Sequence, residues 1–167
     1  EVAQHNSGFR PASTANPLDR FVANFRSRYF NDIFPNALID GKARFPGRTI
    51  LVPQAAGTQD YFGLNYYTVE RDAFDLRRSK QFFTRDFYPH SADLSPTGHM
   101  ANEPEGFAKA IEWANSYGLP IYITENGVED QEDQLRPRYI VSHIWKLWMS
   151  LTSGCPVRGY FHWPLVD

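Results

Sequence analysis

Pro120-Ile121-Tyr122-Ile123-Thr124-Glu125-Asn126-Gly127 is the most informative segment of the chain. An apolar, largely β-branched run with the length of a buried strand leads into Glu125, and Asn-Gly then favours a turn. In parallel α/β sheets, residues at the carboxyl ends of the strands carry the chemistry. The pattern therefore predicts a central strand that presents Glu125 as a reactive carboxylate. An inert strand end followed by an ordinary turn is the alternative that these residues alone leave open.

Upstream of this strand, the chain shows the signals of one helix and one strand. Asn16 is typical of a helix N-cap, and apolar residues then recur at helical spacing until Pro35, where we expect the helix to end. Residues 36–57, punctuated by Pro and Gly, predict a loop. Residues 61–67 predict a short aromatic strand. A further strand is expected near Val2.

The rest of the chain repeats a helix-strand pattern. Residues 70–98 predict a long polar loop, and residues 103–117 predict a helix that leads into the central strand. A second helix is expected from Pro137, and residues 157–163 predict the last strand. That second helix carries a broad apolar face of Ile140, Val141, Ile144, Trp145, Trp148 and Leu151. The alternation predicts an α/β fold with about four strands and outer helices.

Composition limits the function classes. The chain has 167 residues and a formal net charge of -2, which gives no basic surface for nucleic acid or for an anionic membrane. No apolar stretch has the length of a membrane span. Cys155 is the only cysteine, so no intrachain disulfide can form, and we expect a reducing compartment, namely a cytoplasmic and bacterial one.

The five histidines give no signal for a metal site. They are scattered, no two are four residues apart, and zinc would need unusual ligands beside a single cysteine. We therefore expect neither a metal nor a cofactor. His5 is the least certain of them, because it follows the first expected strand and could lie near the reactive carboxylate.

Three segments, in order, resemble the late-barrel motifs of family 1 glycoside hydrolases, the retaining β-glucosidases. They are Asp-Tyr-Phe-Gly-Leu-Asn-Tyr-Tyr-Thr at residues 60–68, Pro-Ile-Tyr-Ile-Thr-Glu-Asn-Gly at residues 120–127 and Arg-Gly-Tyr-Phe-His-Trp-Pro-Leu-Val-Asp at residues 158–167. The opening residues 1–11 are similar to the fifth barrel strand of the family and the loop after it. The resemblance implies that residues 1–167 form the C-terminal half of a TIM (β/α)8 barrel, truncated at both ends and without the final tail.

The same resemblance implies roles for four residues. Glu125 takes the place of the catalytic nucleophile, and Tyr67 that of the phenol that donates a hydrogen bond to it. Asn65 falls where the family has an active-site hydrogen-bonding residue, and Trp163 where a Trp forms the floor of the sugar site. From the residues alone, Tyr67 could be an ordinary aromatic of a half-buried strand, and Trp163 could be core packing.

Retaining hydrolysis needs two carboxyl groups roughly 5–5.5 Å apart, a nucleophile and a proton donor. The acid/base glutamate of the family lies in an Asn-Glu-Pro motif on the fourth barrel strand. Residues 1–167 do not include that strand. Asn102-Glu103-Pro104 spells that motif but stands where the family opens a helix with Pro-Glu-Gly. We interpret it as a helix start with Pro104 in the first turn, and we expect it at the opposite end of the barrel from the chemistry.

The resemblance thus implies part of a β-glycosidase that acts on a β-glycoside through Glu125, and we expect residues 1–167 to be inactive when alone. The two open edges of half a barrel predict that the missing half or a second copy associates with it. A non-catalytic sugar-binding or structural fragment is the alternative, and an unrelated α/β binding domain is a third possibility that the three ordered motifs argue against. The residues present do not select glucose over galactose or fucose.

Overall fold

The computed structural model describes residues 3–164. Val2 and the last three residues of the third motif lie outside this part of the chain. The elements, in order, are β1 (Ala3–Pro11), α1 (Pro17–Ser27), α2 (Ile33–Asp40), β2 (Lys42–Phe45), β3 (Arg48–Leu51), β4 (Phe62–Phe74), β5 (Thr84–Phe87), α3 (Pro104–Asn115), β6 (Ile121–Asn126), α4 (Arg136–Thr152) and β7 (Val157–His162).

The larger of the two sheets in the described chain has five strands. Its strands follow one another as β1-β4-β6-β7, and β5 pairs with β4. The pairs β4–β6 and β6–β7 are parallel, with a helix before each of β6 and β7. The strands β1, β4, β6 and β7 are the four expected near residues 2, 61, 121 and 157. Parallel strands joined through helices are the α/β pattern that the sequence predicts.

The described chain forms two compact units. The first unit contains residues 3–6, 60–68 and 91–164, and the second contains residues 7–59 and 69–90. The core of the first unit forms where β4 meets α3: Phe62, Leu64 and Tyr66 are fully buried, and the ring of Tyr66 lies 5.4 Å from that of Phe107. Alternate residues of β4 therefore face the helices.

In the second unit, the first helical segment is longer than predicted. After α1, residues Arg28–Asp32 form a π-helical turn, and α2 then continues through Pro35 to Asp40. Our expectation that Pro35 ends the helix is wrong. Pro35 is the third residue of α2, directly after the π-helical turn, where the irregular hydrogen bonding accommodates a residue that has no N–H to donate.

The predicted loop over residues 36–57 is also wrong. Gly41 ends α2 with a positive φ of 72°, and β2 and β3 then pair antiparallel, so that Phe45 lies opposite Arg48. Pro46 and Gly47 form only the two-residue turn of this hairpin, with Gly47 at a φ of 72°. The Pro and Gly residues mark tight turns between short elements rather than one irregular stretch.

The long polar loop predicted over residues 70–98 is shorter, because β4 extends to Phe74 and pairs antiparallel with β5. Its polar residues are held by contacts from a distant helix. Asp72 is fully buried and forms an ion pair with Arg26 of α1, whose guanidinium also lies 3.3 Å from Glu70. Burial raises the pKa of Asp72 to about 6 despite that partner. This part of β4 is mostly polar, so it lacks the alternating hydrophobic pattern from which a strand is predicted.

The helix α4 does not bury the apolar face that the sequence suggests. Its buried residues are Tyr139, His143, Leu147 and Ser150. Val141, Trp145 and Trp148 are 70%, 56% and 53% exposed. The two tryptophan rings stack on each other at 5.0 Å. The chain therefore presents an uncovered apolar helix face within the described residues.

The buried face of α4 carries a histidine in an aromatic environment. His143 is fully buried and stacks on Tyr139 with ring centroids 3.7 Å apart, while its Nδ1 lies 2.8 Å from the carbonyl oxygen of Tyr139. Burial lowers the pKa of His143 to about 4, although this contact opposes the shift. The imidazole is therefore neutral in the folded chain at pH 7.

We expect His143 to lower the stability of the chain as the pH falls from about 6.5 to about 4, against the opposite effect of Asp72, whose pKa burial raises to about 6. A histidine with a depressed pKa in the folded state binds its proton more readily when unfolded, so its contribution is complete above the unfolded pKa and is lost below it. The share of His143 in the free energy of unfolding should fall by up to about 3 kcal/mol over this interval. Urea unfolding at fixed chain concentration measures the slope, and the difference between the parent chain and His143→Phe isolates this share. His90→Gln, at an exposed position, should leave the slope unchanged; equal slopes in all three chains would contradict the assignment.

Candidate active site

A register irregularity between β4 and β6 turns Glu125 toward the site. Leu64 lies opposite Ile123, but the next residue, Asn65, lies opposite Glu125, so Thr124 is an extra residue on β6. Strict alternation would place Glu125 on the face of Ile121 and Ile123, whose side chains are fully buried. A bulge of this kind moves the following side chain to the other face. Glu125 is accordingly only partly buried.

Tyr67 meets Glu125 across the two strands. Its phenol donates a hydrogen bond to Oε2 of Glu125. The ring is 9% exposed, and the pKa of the phenol is raised, first by burial and then by the hydrogen bond and the charge of Glu125. The phenol therefore keeps its proton and stays a donor. A donor held against an ionised carboxylate fixes the position of one of its oxygens.

Asn65 lies on the same face, two residues before Tyr67. The Oγ1 of Thr124 donates to the Oδ1 of Asn65 over 2.5 Å. This contact occupies the amide oxygen and leaves the Nδ2 hydrogens as the available donors. The extra residue of the bulge thus orients a neighbouring hydrogen-bonding group as well as redirecting Glu125.

Trp163 reaches the site from the end of β7. Its ring lies edge-on to Tyr67 with centroids 5.6 Å apart, and its side chain is 45% exposed. The backbone N–H of Trp163 donates to the carbonyl oxygen of Asn126 over 3.1 Å. Gly127 permits this approach, because a Cβ there would lie 1.5 Å from the carbonyl oxygen of Trp163. The glycine of the motif is needed for close backbone contact.

His5 also lies beside Tyr67. The two rings are 5.4 Å apart and tilted at 60°. Burial lowers the pKa of His5, and the nearby charge of Glu125 opposes this shift only in part. His5 therefore contributes a neutral imidazole to the neighbourhood of the carboxylate.

The structure brings together Glu125, Tyr67, Asn65 and Trp163, the four site residues that the sequence predicts. Sequence reasoning missed Thr124 and Asn126, which flank Glu125. Thr124 donates a hydrogen bond to Asn65, and Asn126 donates one to the carbonyl oxygen of Tyr66. Their position inside the motif was the only signal. Asn126 is fully buried and makes its side-chain hydrogen bonds on the helix-covered side of the sheet.

Glu103 lies on the other face of the sheet from this site. The Tyr66 hydroxyl, on the residue before Tyr67, donates to the carbonyl oxygen of Glu103 over 2.7 Å, and the Tyr66 ring packs against Phe107 of α3. Our expectation that α3 begins at the opposite end of the strands from Glu125 is wrong, because α3 runs back along β6. The sheet itself separates Glu103 from Glu125, since consecutive strand residues face opposite sides.

Residues 3–164 contain neither a group of metal ligands nor a membrane-spanning helix. No three side chains among His, Cys, Asp and Glu in this part of the chain are arranged to hold a metal ion. None of the helices described is long and apolar enough to cross a membrane.

Comparisons with known proteins agree with the fold. The model of glycosyl hydrolase family 1 matches residues 49–167. A β-galactosidase of Saccharolobus solfataricus is 31% identical over 172 residues, which cover 97% of this chain and 34% of that protein. The structure of a β-glycosidase from Pyrococcus horikoshii superposes with a TM-score of 0.86 at 29% identity, over 97% of this chain and 37% of the other.

A family 1 β-glucosidase from Thermotoga maritima gives a TM-score of 0.82 at 25% identity, over 98% of this chain and 41% of the other. The chain thus spans about a third of the length of the curated relatives that it matches. Its parallel strands and helices form part of a (β/α)8 barrel. The chain belongs to glycosyl hydrolase family 1.

Proposed function

We propose that this chain is the nucleophile-bearing part of a retaining β-glycosidase. The single observation that carries the proposal is the hydrogen bond from Tyr67 to Glu125 at the carboxyl end of the parallel strands. Family membership supports hydrolysis of glycosidic bonds as the reaction. Structures of the Thermotoga maritima relative in complex with castanospermine and with deoxynojirimycin support a sugar-like ligand.

Glu125 attacks the anomeric carbon of the sugar in this mechanism. The Tyr67 phenol leaves Oε1 of Glu125 as the oxygen free to react, because it holds Oε2. Attack displaces the leaving group and forms a glycosyl-enzyme ester, and water then attacks the same carbon and releases the sugar and the carboxylate. Trp163, with its half-exposed ring beside Tyr67, offers an apolar surface for the C–H face of the sugar, and Asn65 offers its amide hydrogens to a hydroxyl.

The acid/base carboxyl comes from the part of the enzyme that this chain does not span. Glu103, the glutamate in an Asn-Glu-Pro sequence, lies on the helix side of the sheet. The β-glycoside itself is the only ligand that the mechanism requires, with no cofactor. A cytoplasmic, bacterial location belongs to the same proposal, and the single Cys155 supports its reducing character.

In the complete enzyme, Glu125→Gln should lower kcat by a factor of about 10³ or more, because an amide cannot form the ester intermediate. Glu129→Gln is a matched control: Glu129 lies four residues further on and accepts from Ser95 and Thr97 instead of Tyr67. It should retain activity within about threefold. Trapping with a 2-deoxy-2-fluoroglycoside followed by peptide mapping identifies the nucleophile, and a label on any residue but Glu125 refutes the assignment.

The 167-residue chain alone should hydrolyse no aryl β-glucoside, since it offers a nucleophile without a positioned proton donor. The release of a chromogenic phenol measures this directly, first with the chain alone and then with the remaining part of the enzyme added. Activity that appears only in the mixture supports the proposal. Turnover by the chain alone that disappears in Glu103→Gln would show that Glu103 is the acid/base after all. Sugar binding without turnover in the mixture would favour the non-catalytic alternative.

We also propose that the remainder of the barrel covers the exposed face of α4 and the open sheet edges. Val141, Trp145 and Trp148 present a contiguous apolar surface of a kind that single soluble domains bury. The isolated chain should therefore associate with itself or aggregate. Light scattering measures its mass, and Val141→Glu/Trp145→Glu should reduce the association. A monodisperse species at the monomer mass of 19.2 kDa, with cooperative unfolding, would refute the proposal.

A further inference from the structure

Behind Glu125, on the helix-covered side of the sheet, a buried group of polar side chains connects β4, β6, β7 and α4. Asn126 is fully buried, and its Nδ2 donates to the carbonyl oxygen of Tyr66 over 2.9 Å and to the Tyr139 hydroxyl over 3.1 Å. Its Oδ1 accepts from the Tyr160 hydroxyl over 3.0 Å. Buried polar groups that satisfy one another in this way hold a single arrangement.

The Tyr139 hydroxyl connects this group of polar side chains to the backbone of Tyr67. It donates to the carbonyl oxygen of Tyr67 over 2.8 Å while it accepts from Asn126, and the Tyr139 side chain is fully buried. The parallel pairing of β4 with β6 ends at Tyr66 and Asn126, so the Tyr67 peptide is the first one beyond the ladder. The Tyr139 hydroxyl therefore holds a backbone group that the partner strand no longer holds.

We propose that Tyr139 is a positioning residue of the active site: through Asn126 and the carbonyl of Tyr67, it holds the Tyr67 phenol against the Glu125 carboxylate. The inference rests on the proposed glycosidase function. Tyr139 touches neither the substrate nor the carboxylate and acts only through Tyr67. A displacement of the phenol would leave the carboxylate free to rotate away from the anomeric carbon, and enzyme rates are sensitive to shifts of this size.

Tyr160 supplies a matched control within the same group. Tyr139→Phe and Tyr160→Phe each remove one hydroxyl that bonds to the side chain of Asn126. Only Tyr139→Phe also removes the bond to the carbonyl oxygen of Tyr67. A role in packing alone predicts similar effects of the two substitutions, whereas a positioning role predicts different ones.

In the complete enzyme, Tyr139→Phe should lower kcat by a factor of about 10 to 100 and change KM by less than about threefold. Tyr160→Phe should retain kcat within about threefold. In a Tyr67→Phe background, Tyr139→Phe should have little further effect, because the group through which it acts is absent.

Equal losses in the two phenylalanine variants, or additive effects of Tyr67→Phe and Tyr139→Phe, would overturn the proposal. If Tyr139→Phe does not fold, as judged by urea unfolding, Asn126→Asp replaces the amide donor to Tyr139 by an acceptor that draws the Tyr139 hydroxyl away from the carbonyl oxygen of Tyr67, keeps the oxygen that faces Tyr160, and should also lower kcat. If the parent enzyme hydrolyses no glycoside, the proposed function fails. The positioning role then remains testable by ¹⁹F NMR of 3-fluorotyrosine at position 67, whose resonance should shift in Tyr139→Phe and not in Tyr160→Phe.

Discussion

The constraint on which the site depends is the irregular pairing of β6 with β4. The parallel ladder is regular as far as Ile123 and then accommodates Thr124 as an extra residue. Before that point, alternate side chains of both strands enter the apolar core against α3, and Phe62, Leu64, Ile121 and Ile123 have no exposed surface. After it, Glu125 faces Tyr67 and Asn126 faces the helices. One strand therefore supplies both a rigid core and a reactive end.

The sequence predicted the parts of this arrangement that depend on residue type and chain order. The apolar run before Glu125 predicted the central strand, and the aromatic run before Tyr67 predicted the strand beside it. The bulge was not predicted, because an extra residue in a ladder is defined by the register between two strands that lie about sixty residues apart. Asn126 and Tyr139 were missed for the same reason: a buried hydrogen-bond partner on a distant helix leaves no periodic signal.

The errors in the second unit have a different cause. Pro and Gly were interpreted as marks of loops, but Pro35 lies in the first turn of α2 and Gly47 closes a tight hairpin. The sequence does not predict the extension of β4 to Phe74, because most side chains in this part of the strand are polar. Its conformation is stabilised by long-range contacts, such as the ion pair of Asp72 with Arg26 and the hydrogen bond from the N–H of Phe74 to Asp19. Contacts of this kind override local preference and cannot be read from a single sequence.

The polar groups on the helix side of the sheet also explain why the site is placed at the end of the ladder. Inside a regular ladder every backbone carbonyl has a partner, and a strand residue can move only with its neighbours. Where the pairing of β4 with β6 ends, the carbonyls at this point of β4 need other donors. The Asn126 amide and the Tyr139 hydroxyl supply them to Tyr66 and Tyr67. Burial keeps the Tyr139 phenol protonated, because it raises the pKa well above the usual value, so this donor persists across the pH range in which a carboxylate nucleophile is ionised.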